Sequence, residues 1–216
     1  MSKKYEIFLF DLDGTITDSA LGITNSVMYA LKKFGIEETD RTKLYKFIGP
    51  PLTESFEKFY GFTKEQSLDG VKYYREYYHD KGIYENRVYD GLEEVLKKIN
   101  EAGKQAIVAT SKPEEYAKII MDHFHLTKYF ACVAGMEMDG GRGTKAQVIT
   151  YALEKNDITD KSNVLMIGDR EHDVIGAHEN GLDCLGILYG FGSRKEFEEA
   201  GADYIRENVE DILQFV

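Results

Sequence analysis

An apolar run at residues 5–10 stops at Asp11-Leu12-Asp13-Gly14-Thr15, and two carboxylates at the mouth of a buried strand limit sharply what such a chain can become. Carboxyl ends of strands are where an open α/β sheet holds its ligands. Four more short apolar runs bounded by turn residues, 105–109, 131–134, 164–167 and 184–188, read as further buried strands. Between the later runs the spacing is helical. Residues 114–123 place Ile119 and Ile120 on an apolar side, and residues 145–153 do the same with Val148, Ile149 and Ala152. Strand then helix, repeated, predicts an α/β fold with a doubly wound parallel sheet. With strand order 3-2-1-4-5, the first strand lies between the second and the fourth, and Asp11, Asp13, Thr110 and Asp169 meet at one edge.

One connection breaks the rhythm. The stretch from Phe10 to Gln105 is about three times the length of a βαβ unit, which is typically about 30 residues. It carries aromatic residues at helical spacing, Phe56, Phe59 and Tyr60, then Tyr73, Tyr74, Tyr77 and Tyr78, and reads as a small helical insertion. The expected division is an α/β core of residues 1–18 and 89–216 with a helical cap of residues 19–88, Asp90-Gly91 marking the re-entry. The aromatic stripe is read as packing within that insertion rather than as a substrate pocket.

Charge decides which partners are reasonable. Lys plus Arg number 27 against 38 Asp plus Glu, a net charge of -11, which opposes a nucleic-acid backbone. An anionic small substrate meets the same repulsion, so positive charge must be supplied locally by a metal, a lysine or backbone N–H groups. Cys132 and Cys184 are far apart and form no CxxC pair, so neither a disulfide framework nor a zinc site is indicated. The run after Met1-Ser2-Lys3-Lys4 is too brief for a signal peptide or a membrane span. A cytoplasmic protein without membrane or nucleic-acid partners is expected, with oligomeric state open and a monomer favoured.

Asp11 and Asp13 would repel each other without a cation, and Mg²⁺, which prefers oxygen ligands, is the economical one. Gly14 permits the turn that follows and lets N–H groups approach an anion, although an ordinary acidic turn would look the same. After the second strand, Thr110-Ser111-Lys112-Pro113 leads into a helix whose start suits phosphate, or is a plain N-cap. Lys145 follows Gly140-Gly141-Arg142-Gly143-Thr144 at a helix head, where a cation is unfavourable unless an anion is near. That segment lacks the GxxxxGK[ST] order of a P-loop, and no GxGxxG occurs. After the fourth strand, Gly168-Asp169-Arg170-Glu171-His172-Asp173 again sets two carboxylates at a strand end, which also suits a helix dipole. His172 is given no role, and His123 and His125, lacking partners at ligand spacing, are read as structural.

In these four segments, taken in order, the chain resembles the haloacid dehalogenase superfamily, specifically its phosphatase branch with a helical cap inserted after the first motif. The resemblance implies a Mg²⁺-dependent phosphatase acting on a small phosphorylated metabolite. It implies that Asp11 is the nucleophile and that Asp13 protonates the leaving oxygen and then activates water. It further implies that Lys145, Thr110, Ser111, Gly14 and the N–H of Leu12 bind phosphate. Asp11, Asp169 and the Asp13 carbonyl would hold the metal, and Asp173 would stand behind them or ligate on occasion. Closure of the cap would exclude water. Ile48-Gly49-Pro50-Pro51 and Tyr189-Gly190-Phe191-Gly192-Ser193 are similar to phosphoglycolate phosphatase-like and 5'-nucleotidase-like members. Ser111, where asparagine is common, and Ala146, where proline is common, depart from the phosphoglycolate phosphatase pattern. The Gly49-Pro50-Pro51 turn is either a helix-ending loop or a substrate contact. Alternatives on the same residues are a phosphomutase and a non-catalytic phosphate-sensing module. A dehalogenase is opposed by Asp13.

Overall fold

The structure, a computed structural model, describes residues 3–138 and 141–216, so Met1, Ser2 and the Gly140 of the glycine-rich segment lie outside it. Each of the five apolar runs forms a strand: β1 (Ile7–Phe10), β2 (Gln105–Pro113), β3 (Val133–Met136), β4 (Val164–Gly168) and β5 (Asp183–Ile187). They lie parallel in the expected order β3-β2-β1-β4-β5. A sixth strand, β6 (Tyr204–Arg206), extends the β5 edge. Its three residues are all half-buried and show no alternation, which is why the sequence pattern does not mark it. Within β1 and β4 every residue but Ile7 is buried, as both faces of a parallel sheet require.

In chain order the helices are α1 (Ala20–Lys33), α2 (Leu52–Tyr60), α3 (Lys64–Tyr77), α4 (Leu92–Glu101), α5 (Glu114–His123), α6 (Lys145–Lys155), α7 (Glu171–Glu179) and α8 (Arg194–Ala200). The chain forms two compact units, Met1–Thr17 with Val88–Val216, and Asp18–Arg87. Two-residue strands Thr17–Asp18 and Arg87–Val88 pair with each other where the chain leaves and re-enters the sheet.

In the first unit, one core gathers Leu9, Ile107, Ala109, Ala134 and Met166 from the strands with Val148, Ile149, Ala152 and Leu153 of α6 and Val174 and Ala177 of α7. The α5 pattern needs one correction. Its buried residues are Tyr116, Ala117, Ile120 and Met121, spaced at i, i+1, i+4 and i+5, and this face turns Ile119 outward to 36% exposure. The buried arc is centred between the 116/120 and 117/121 positions, and Ile119, 100° before Ile120, falls outside it.

In the second unit, α1 buries Ile23, Val27, Ala30 and Leu31 on one stripe. α2 stops at Gly61, whose φ of 66° favours glycine, and α3 starts on a capping box in which Thr63 and Gln66 exchange hydrogen bonds. Tyr74 and Tyr78 are buried and stacked with centroids 5.2 Å apart, and Phe47 packs on Phe56 and Phe59, so much of the aromatic stripe is core. Gly22 of α1 meets the single π-turn Tyr78–Gly82 so closely that a Cβ there would lie 1.9 Å from the Gly82 carbonyl oxygen. Pro51 takes the N-cap position of α2, after Gly49 at φ 102°. Among the described residues, no helix is long and apolar enough to cross a membrane.

Candidate active site

The ladder fixes Asp11 first. Its N–H donates to the Ile167 carbonyl at 2.9 Å, extending the β1–β4 pairing by one residue and delivering the side chain at the carboxyl edge of the sheet. The chain then folds back: the N–H groups of Thr15, Ile16 and Thr17 all point at the Leu12 carbonyl, and Gly14, at φ 82°, donates to the Thr17 carbonyl at 2.7 Å. Asp11 Oδ1 accepts the Leu12 N–H at 2.7 Å.

Lys145 closes the site from below. It begins α6, whose capping box is built by Thr144 and Gln147, and the helix brings its buried side chain across the end of the sheet. Its Nζ lies 3.0 Å from Asp11 Oδ1 and 2.7 Å from Asp173 Oδ1, and it donates to the Ala109 carbonyl at 3.0 Å. Burial alone would lower the ammonium pKa, but Asp11 and Asp173 outweigh it and push the value up. These carboxylates are the nearby anions that a cation at a helix head requires. Arg142 braces the preceding loop, donating to the Gly135 carbonyl and pairing with Glu114 and Glu137.

Asp169 and Asp173 come from the end of β4 and the first turn of α7. Asp173 Oδ2 accepts the Arg170 N–H at 3.1 Å, the reciprocal half of a capping box. Asp169 is fully buried, and its Oδ2 accepts the Phe191 N–H at 2.8 Å. The backbone presses close around it, since a Cβ on Gly14 would lie 2.1 Å from Asp169 Oδ2 and one on Gly190 2.4 Å from Asp169 Cβ. Tyr189 anchors the same loop by donating to the Thr15 carbonyl at 3.0 Å. The Tyr189–Ser193 segment thus cradles Asp169, a part the sequence reading did not give it, although paired glycines around an aromatic are the signal.

The structure brings Asp11, Asp169 and Asp173 together, with one carboxylate oxygen of each within 4.8 Å of the others. Two of these three, Asp11 and Asp173, face the one ammonium of Lys145. Desolvation first, then Asp173 and Asp11, hold the Asp169 carboxyl well above the usual range, and desolvation followed by competing effects of Lys145 and Asp11 pushes Asp173 up to about 6. A cluster of oxygen donors with surplus negative charge fits a hard divalent cation such as Mg²⁺. Asp13 stands slightly apart: its carboxylate turns to Lys112, with Oδ2 2.6 Å from Nζ. Thr110 is buried at the same edge, and its hydroxyl accepts the Lys112 N–H at 3.2 Å, while Ser111 is half-buried beside it. Pro113, without a side-chain cap, holds the N-cap position of α5. His172 is half-buried next to Asp173, and burial lowers its pKa. His123 packs edge-on against Phe124.

A pH dependence follows from the carboxylates. A folded-state pKa raised to about 6 at Asp173 means the folded chain binds this proton more tightly than the unfolded one, so its contribution is full below the ordinary carboxylate value and is lost as pH rises through 6. A divalent cation binds the deprotonated form and offsets that loss. The melting temperature is therefore expected to rise on adding Mg²⁺ by several degrees at about pH 8 and by much less at about pH 5. Scanning calorimetry with Mg²⁺ and with chelator checks it.

Residues 8–187 match the family described as haloacid dehalogenase-like hydrolase. The chain is 45% identical over 193 residues to a 5'-nucleotidase of Pseudomonas aeruginosa, covering 89% of this chain and 87% of that protein. It is 35% identical over 188 residues to the tyrosine-protein kinase PtkA of Mycobacterium tuberculosis, covering 87% of this chain and 63% of that protein. Among solved structures, a predicted phosphatase from Clostridium acetobutylicum superposes with a TM-score of 0.94 at 47% identity, covering 98% of each chain.

Proposed function

The chain belongs to the haloacid dehalogenase-like hydrolases and is a phosphatase of that family, and from that premise we propose that it hydrolyses nucleoside monophosphates through an aspartyl-phosphate on Asp11. The single observation that carries the mechanism is the buried contact of Asp11 with Lys145 at 3.0 Å, beside Asp169 and Asp173. A carboxylate held at a strand end, with a cation fixed against it, is suited to meet a phosphoryl group in line.

In this reading a carboxylate oxygen of Asp11 attacks phosphorus while Asp13 gives a proton to the departing oxygen; Asp13 then takes a proton from the water that releases phosphate. Lys145, Thr110 and the N–H groups of Leu12 and Ser111 bind the phosphoryl oxygens, Gly14 allowing the backbone to approach them. Asp11, Asp169 and the Asp13 carbonyl would hold Mg²⁺, with Asp173 beside them tying down Lys145. The ion, when bound, neutralises charge on the phosphoryl oxygens. Residues 1–18 and 89–216 act as the catalytic core in this proposal, and 19–88 as the cap that selects the substrate.

Nucleoside monophosphates are preferred to 2-phosphoglycolate because the relative named 5'-nucleotidase is 45% identical, whereas a phosphoglycolate phosphatase of Vibrio parahaemolyticus is 22% identical. Phosphate release from a panel of nucleoside 5'-monophosphates, 2-phosphoglycolate and pyrophosphate, with Mg²⁺ and with chelator, is the test. At least one nucleotide is expected to exceed 2-phosphoglycolate by about tenfold or more in kcat/KM. A preference for 2-phosphoglycolate would reject the substrate assignment, and isomerised phosphate esters in place of free phosphate would indicate a mutase. The likeness to PtkA motivates a second reading, a phosphotransferase to tyrosine. ATP-dependent labelling of a tyrosine peptide without net phosphate release would favour it.

A further inference from the structure

Lys112, buried and paired with Asp13, has no part in the mechanism above. β2 runs through Thr110, Ser111 and Lys112 to Pro113, and its pairing with β3 shifts register between Thr110 and Pro113. An irregularity of this kind breaks the strict alternation of side chains and re-aims one of them. Here Lys112 is left only 8% exposed, with Nζ 2.6 Å from Asp13 Oδ2. The other oxygen, Asp13 Oδ1, is buried and accepts no hydrogen bond from the described residues. Leaving a buried acceptor unmatched costs about 1–3 kcal/mol, and burying a lysine beside it is a weak route to stability, so packing alone accounts poorly for the arrangement.

We propose that Lys112 is a positioning residue for the proton transfers, gripping Asp13 by Oδ2 and so leaving Oδ1 as the oxygen that exchanges protons with the leaving oxygen and then with the attacking water once substrate is bound. The inference rests on the aspartyl-phosphate reading. In the first step Oδ1 gives its proton to the ester oxygen as the bond from that oxygen to phosphorus breaks and the bond from Asp11 to phosphorus forms. In the second, Oδ1 takes a proton from water as its oxygen bonds to phosphorus and the bond from Asp11 breaks. Lys112 touches no reacting atom in either step; it fixes which carboxylate oxygen is presented. Geometric errors of an ångström in such a group are worth on the order of 100-fold in rate.

The test uses the dependence of the first step on the leaving group. Proton donation matters for phenyl phosphate, whose phenolate is a poor leaving group, and little for p-nitrophenyl phosphate. In rapid-quench experiments with Mg²⁺, Lys112→Met is expected to slow the first release of phenol about 30-fold and of p-nitrophenol less than about threefold, with Lys112→Arg recovering most of the phenol rate. Equal slowing with both esters would overturn the proposal, because a general disturbance of the site does not sense the leaving group; so would an unchanged rate. If Lys112→Met does not fold, Lys112→Gln decides in its place: a selective phenol deficit supports the proposal, and an equal one or none overturns it. Asp11→Asn separates the two levels. If it abolishes release while Lys112→Met behaves as wild type, only the positioning role fails; if it still releases phenol, the underlying reading fails.

Discussion

Asp11→Asn is expected to lower phosphate release by on the order of 10⁴-fold or more, since an amide cannot form the covalent intermediate on which both half-reactions depend. The same change is expected to leave the fold intact and, in chelator, to raise the melting temperature by a few degrees. Asp11 is one of the groups that raise the pKa values of both Asp169 and Asp173, so a neutral side chain there relieves like-charge repulsion inside the sheet edge. Lys145 keeps Asp173 as its partner at 2.7 Å, and the Leu12 N–H retains an acceptor in the amide oxygen. Activity lost together with stability gained marks a carboxylate kept for chemistry. Circular dichroism melts beside phosphate release measure both.

Lys145→Met is the second large effect, and its sign on stability is opposite. The ammonium is the only cation that the described ion pairs place against Asp11 and Asp173, and it also satisfies the Ala109 carbonyl. Its removal strands buried carboxylates, which costs about 3–5 kcal/mol where such a pair is broken on one side. Turnover is expected to fall about 100- to 1,000-fold through loss of charge stabilisation on the phosphoryl oxygens. Lys145 lowers the Asp173 pKa, so without it that pKa rises above about 6, and the stability deficit should grow as the pH rises above about 6, level off below it, and shrink on adding Mg²⁺ at neutral pH. A deficit independent of both pH and Mg²⁺ would mean that Lys145 acts through its hydrocarbon stem, which lies against Gly176.

Legibility of the fold and site in the sequence follows the range of the interactions. Five strands stood out because buried parallel strands are continuous apolar runs, and strand and helix alternation marked the sheet as parallel, whereas its order came with the family resemblance. β6 did not, because a short, half-buried edge strand is defined by its neighbour rather than by its own residues. Asp11, Lys145, Asp169 and Asp173 were each marked by position at a strand end or helix start. Their grouping needed tertiary structure: that Asp173 joins Asp11 and Asp169 while the Asp13 carboxylate turns to Lys112 depends on the turn at Gly14 and the register shift in β2. Neither leaves a periodic trace. The Tyr189–Ser193 loop was visible as a motif, but its role against Asp169 arises from close approach of Gly190, which only the packed structure reveals.

The covalent step is tested most directly by quenching the Mg²⁺ enzyme with p-nitrophenyl phosphate in acid, reducing the trapped acyl phosphate with borohydride and sequencing the peptides. The account predicts conversion of Asp11 to homoserine at a level matching the burst of p-nitrophenol, and none in Asp11→Asn. A burst with modification at any other residue, or turnover with Asp11 unmodified throughout, would contradict it.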